Sequence, residues 1–121
     1  MARVIHFEIN ADSPERAAEF YRQAFGWKIE KWAGPVDYWL ITTGDDSEPV
    51  INGVIKHRSE NLTTVNTIGV PSVDEFLQKV TQAGGKVVQP RMTIPGIGYH
   101  AYCQDAEGNI FGIMQDDPSA K

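Results

Sequence analysis

The sequence predicts an α+β fold built from two βαβββ modules. Three observations predict it. Stretches with a period of two alternate with two stretches of helical spacing. The order of elements in residues 1–58 returns in residues 62–117. The join between them, Arg58-Ser59-Glu60-Asn61, is polar. The expectation is a single domain over residues 1–121, with a polar tail at 118–121 that frays.

The first strand is predicted over residues 3–9, where Ile5, Phe7 and Ile9 share one face and Val4, His6 and Glu8 the other. Ser13 is a good N-cap and Pro14 suits the first helical position. Ala17, Phe20, Tyr21 and Ala24 then recur at helical spacing, and Gly26 ends the helix. Strands follow at 27–32, 37–43 and 50–56, with a turn at Gly44-Asp45-Asp46-Ser47. The second module opens with a strand at 64–70. Ser72 caps a helix in which Val73, Phe76, Leu77 and Val80 form one stripe, and Gly84-Gly85 ends it. A strand at 86–89 is bounded by Pro90, and residues 91–97 form a loop. Two last strands, 98–104 and 109–115, flank the tight turn Asp105-Ala106-Glu107-Gly108. Each helix stripe must cover an apolar sheet face, which leaves His6, Glu8 and Thr67 on the other face, suited to the wall of a cleft.

Composition excludes some classes of function. A net charge of −5 argues against nucleic acid, because phosphate binding needs clustered Lys and Arg. No apolar run approaches the roughly 20 residues needed to cross a bilayer. The N-terminus carries no signal-like apolar core, so a cytoplasmic protein is expected. The single cysteine, Cys103, excludes an internal disulfide and is read as a buried structural thiol.

Three stretches carry a family resemblance: Val4-Ile5-His6-Phe7-Glu8-Ile9, Glu19-Phe20-Tyr21 leading to Phe25-Gly26-Trp27, and Asp105-Ala106-Glu107-Gly108-Asn109-Ile110-Phe111-Gly112-Ile113. On these the chain resembles the glyoxalase / bleomycin-resistance / dioxygenase superfamily, also called vicinal oxygen chelate (VOC). Asp37 to Ile41, Ile51 to Val54 and Phe111 to Gln115 are similar to a bacterial glyoxalase-like subfamily. The resemblance implies curved mixed sheets whose concave sides make a cup, and a homodimer.

Metal-using relatives hold Fe, Zn, Ni or Mn through one residue on each of four strands, His or Gln, Glu, His and Glu. The matching positions here are His6, about Gly53, Thr67 and Gly112. His6 is the one surviving ligand, so no cofactor is expected, with a divalent metal as the alternative. Three functions follow from the resemblance. The first is a metal-free binder of a small molecule, with Trp39, His100 and Tyr102 against the ligand. The second is a lyase, isomerase or dioxygenase in which His6 and Glu8 serve as acid and base. The third is a dimeric scaffold without chemistry. Period alone leaves the face of His100 open.

Overall fold

The computed structural model describes residues 2–45 and 47–121; Met1, and Asp46 of the expected turn, lie outside the described residues. The order is β1 (Arg3–Ala11), α1 (Pro14–Phe25), β2 (Lys28–Lys31), β3 (Tyr38–Thr42) and β4 (Asn52–His57), then β5 (Thr64–Gly69), α2 (Val73–Gln82), β6 (Lys86–Ile94), β7 (Gly98–Gln104) and β8 (Ile110–Asp116). This is the expected βαβββ order, twice. Among the described residues no helix is long and apolar enough to cross a membrane.

The chain folds as two compact units, residues 6–65 and residues 66–121 with 1–5. In the first unit the strands run β2-β3-β4-β1. β1 lies parallel to β4, with His6 opposite Asn52 and Glu8 opposite Val54. β4, β3 and β2 are antiparallel neighbours. The core gathers Ala11, Ala18, Ile29, Trp39, Ile41 and Ile55, with Phe7, Ile9 and Tyr21 packed against it. α1 therefore covers the sheet face that carries Phe7 and Ile9.

The second unit repeats the scheme as β5-β8-β7-β6. β5 is parallel to β8, and β8, β7 and β6 are antiparallel neighbours. Its core holds Val70, Val73, Ala101, Cys103 and Ile113, with Phe76, Leu77 and Val80 of α2 against it. Cys103 is the buried thiol expected, and burial pushes its pKa up. Ser72 caps α2 by accepting from the Glu75 N–H at 3.2 Å. In the β7–β8 turn the Asp105 carboxylate accepts from the Glu107 and Asn109 N–H groups and from the Asn109 side chain.

Several expectations are corrected. The buried stripe of α1 runs through Ala17, Ala18 and Tyr21, while Phe20 is 58% exposed and Ala24 exposed. Ser13 stands at the N-cap of α1 in extended backbone but makes no side-chain capping bond. β6 does not stop at Pro90; it continues to Ile94 through two register shifts. Pro90 is tolerated because β6 ends the strand order and pairs with β7 alone, so the missing N–H breaks no central ladder. The tail does not fray: Ala120 is buried and its carbonyl accepts from the Gly96 N–H at 2.8 Å.

Candidate functional site

In the first unit, Phe7 and Ile9 turn toward α1, so alternation sends His6, Glu8 and Asn10 to the face without a helix. The parallel register brings Asn52, Val54 and Lys56 of β4 beside them. The Glu8 carboxylate lies 3.8 Å from Lys56 Nζ, with both side chains largely withdrawn from solvent. Burial pulls the His6 pKa below its ordinary value, and the negative charge of Glu8 opposes the shift. A neutral imidazole and a carboxylate thus share one face, two residues apart. Asn10 donates from Nδ2 to the Thr63 carbonyl at 3.2 Å, while its buried Oδ1 has no hydrogen-bond partner. Asn52 is spent on structure: its Oδ1 accepts from the Thr43 N–H at 2.9 Å.

The corresponding face of the second unit is built around Gly112. Thr67 of β5 and Tyr102 of β7 flank it as its register partners on either side. Tyr99, Ala101 and Cys103 face the α2 core, which sends His100 and Tyr102 to the opposite side. Their rings meet edge to face at 4.5 Å. A Cβ added at Gly112 would stand 2.8 Å from His100 Nε2 and 3.3 Å from Thr67 Oγ1. His100 and Thr67 therefore crowd over a stretch of bare backbone. The Thr67 hydroxyl is buried and has no hydrogen-bond partner.

His6 with Glu8, and His100 with Tyr102, are brought together as pairs on helix-free faces. Trp39 is not. It is 6% exposed, belongs to the α1 side of its sheet, and packs edge to face against His57. The expectation of Trp39 as a ligand-stacking residue is corrected: on β3 the residues that face away from α1 are Tyr38, Leu40 and Thr42. The mapped second metal position fails for the same reason. A Cβ at Gly53 would run into the Phe7 ring at 2.7 Å, so Gly53 points to the α1 side. At the fourth, Gly112 offers no donor, and His100 fills the space beside it. Gln115 is engaged elsewhere, accepting from the Val73 N–H at the start of α2. Among the described residues no three His, Cys, Asp or Glu side chains converge as a metal site would require. The residues present do not fit the metal of the metal-using relatives.

Two participants do not stand out in the sequence. Lys56 reads as an ordinary strand-end lysine, although the parallel pairing of β1 with β4 is a signal that places it near Glu8. Thr67 reads as a lost metal ligand, and its buried, unpartnered hydroxyl is visible only in the structure. A concavity of about 450 Å³ also lies beside α1, lined by Ile9, Ala17, Phe20 and Tyr21 with Arg16 and Arg58. None of the residues expected at a site from the sequence lines it, although Asn10 does.

The likeness to known proteins agrees with this construction. Residues 3–113 match the family model of the Glyoxalase/Bleomycin resistance protein/Dioxygenase superfamily. The chain is 29% identical over 119 residues to "Putative glyoxylase CFP32" of Mycobacterium tuberculosis (strain CDC 1551 / Oshkosh) and to the protein of that name in Mycobacterium bovis. Those matches take in 92% of this chain but 43% of each relative, so the chain spans under half their length. Among solved structures, hypothetical protein BH1468 from Bacillus halodurans C-125 superposes with a TM-score of 0.72 at 16% identity, over 99% of this chain and 98% of that one. Methylmalonyl-CoA epimerase from Mycobacterium tuberculosis gives 0.69 at 11% identity, over 95% and 88%. A methylmalonyl-CoA epimerase in complex with methylmalonyl-CoA and NH4+ gives 0.70 at 14% identity, over 100% and 99%. At such identities the structures establish a shared fold and no more. With two βαβββ modules and a family match running through both, the chain belongs to the Glyoxalase/Bleomycin resistance protein/Dioxygenase superfamily.

Proposed function

We propose that this protein binds a small molecule through hydrogen-bonding side chains on the helix-free sheet faces, without a resident metal. One observation carries the reading. The buried polar residues Glu8 (8% exposed), Asn10 (4%), Thr67 (3%) and His100 (8%) all stand on those faces and none on the faces under α1 and α2. Burying polar groups costs free energy unless each finds a partner. Each unit's helix-free face holds two of them, one with an unpartnered oxygen, which suits a ligand that supplies the missing bond. In this reading the protein acts as a cytoplasmic homodimer.

The test is retention. The untagged protein, purified without chelators, is incubated with a small-molecule extract and examined by native mass spectrometry, with Fe, Zn, Ni, Mn and Co measured per chain. A stoichiometric organic adduct with metal far below one per chain is expected. A near-stoichiometric metal would overturn the reading.

A second reading is acid–base catalysis, as in a lyase or isomerase, and one observation favours it. Glu8 is a buried carboxylate beside Lys56 and on the face of His6, which burial keeps neutral near pH 7. The methylmalonyl-CoA epimerases named above share this fold, which is compatible with such a role. Exchange of a substrate C–H proton for solvent deuterium, abolished in Glu8→Gln, would support it.

A further inference from the structure

We infer that the concavity beside α1 is a second binding site, which takes an aromatic carboxylate with its charge on Arg16 and its ring against Phe20 and Tyr21. The site lies within the first unit, beside the helix rather than on a helix-free face, and so goes beyond the small-molecule reading above.

The concavity holds about 450 Å³, within the roughly 300–1,000 Å³ of small-molecule clefts. Its charged lining is Arg16, Arg58 and Asp12. Arg58 is committed: its Nε donates to the Asp12 carboxylate at 2.9 Å and its Nη1 to the Leu62 carbonyl at 2.6 Å. The Arg16 guanidinium is not, and among the described residues it makes no ion pair or hydrogen bond. Asp12, four residues before it, is held by Arg58. Glu19, three residues after it, pairs with Arg22 at 3.6 Å and accepts from Gln23 Nε2 at 2.8 Å. Glu15, its neighbour in sequence, leaves the helix about 100° away and does not line the concavity. The lining thus carries one positive charge in excess, in a chain whose net charge is −5. Such a pocket draws anions.

The rest of the wall sets the body of the ligand. Ile9, Ala17, Phe20 and Tyr21 line it. Arg16 and Phe20 are four residues apart on α1, so their side chains leave one face of the helix. Phe20 is a large ring left exposed, and it meets Tyr21 edge to face at 5.1 Å. An exposed ring beside an uncommitted guanidinium, both on the wall of one concavity, suits a flat apolar body with an anionic end. The planar fork of the guanidinium matches the two oxygens of a carboxylate. An ammonium would meet two arginines and find the one carboxylate of the lining already held.

The experiment follows backbone amide signals of the folded chain by NMR during titration with sodium benzoate, benzylamine hydrochloride and sodium acetate. Benzoate is expected to move the signals of Arg16, Ala17 and Phe20 at lower concentration than either other probe. Arg16→Gln should weaken benzoate binding at least about fivefold, the loss of a charged donor to a carboxylate. Phe20→Ala should weaken it at least about twofold, the loss of one ring contact, while its Tm stays level or rises. Both side chains are exposed, so both variants should fold. Equal benzoate affinity in Arg16→Gln overturns the inference. Benzylammonium that binds as tightly as benzoate overturns it through the charge, and acetate that does so overturns it through the ring. Benzoate shifts confined to Glu8, Thr67 and His100 also overturn it, while leaving the small-molecule reading standing. If no probe moves the α1 signals the second site falls, and retention of an adduct from the extract decides the reading of the helix-free faces separately.

Discussion

His100 holds its Nε2 2.8 Å from the point where a Cβ on Gly112 would stand. That distance is shorter than side-chain carbons tolerate, so the glycine and the imidazole share one space. Gly112→Ala should therefore displace His100 and destabilise the chain by about 1–2 kcal/mol in urea unfolding. In a His100→Ala background the same change should cost much less, since the competitor is gone. Equal costs in the two backgrounds would show that the imidazole is not what keeps residue 112 a glycine.

His6 makes stability depend on pH. Burial lowers its pKa in the folded chain, so the folded state binds fewer protons than the unfolded one in the window just below pH 6.5. The contribution of His6 is thus fully present above about pH 6.5 and is lost as the pH falls through the folded-state value. The stability difference between the parent and His6→Gln should shrink in favour of the variant between pH 7 and pH 5. A difference that is flat across that range would contradict the burial assigned to His6.

Glu8 and Lys56 form a withdrawn pair at 3.8 Å. Lys56→Met should leave a carboxylate behind in poor surroundings and cost on the order of 1–3 kcal/mol. Glu8→Gln with Lys56→Met should recover part of that loss. A double-mutant cycle by chemical denaturation reads the coupling directly, and a coupling of zero would mean the two groups are independent.

Trp39 is a core residue, so its truncation should be read in stability. Trp39→Ala is expected to cost about 3–5 kcal/mol. Trp39→Phe should fold and bind small molecules as the parent does. Ligand-induced tryptophan quenching that disappears in Trp39→Phe while affinity persists would mark Trp39 as a reporter of binding. Weaker binding in a well-folded Trp39→Phe would instead return Trp39 to the site.

Much of the fold was legible because β1 and α2 each have one plain apolar face. The period of two in β1 placed His6 and Glu8 correctly on a shared side. The same reasoning failed where both faces of a strand are apolar. β3 carries Tyr38 and Leu40 on one side and Trp39 and Ile41 on the other, so aromatic richness could not say which faced the core. β7 mixes small and aromatic residues on both sides, and His100 is placed only by the packing of α2 over Ala101 and Cys103. Gly53 shows the cost of a one-residue slip, since it reverses the face entirely. Phe20 misleads because helical spacing alone cannot separate a large exposed ring from the small Ala18 that packs beneath the helix. The partners of Gly112 were out of reach for another reason: they come from β5 and β7, and only the strand pairing joins them to β8.

Pro90 has a consequence for behaviour in concentrated solution. β6 is nine residues long, ends its strand order, and exposes Val87 and Val88. An unbroken strand of that kind is a template on which further copies can add edge to edge into insoluble polymer. Pro90 carries no N–H to offer a ladder, and the two register shifts in β6 spoil the straight run of the strand. Pro90→Val should leave the folded core intact, yet scatter more light and lose soluble protein faster on storage at high concentration. The proline that breaks the regularity of β6 thus serves the population of molecules more than the single one: it caps growth at an open border.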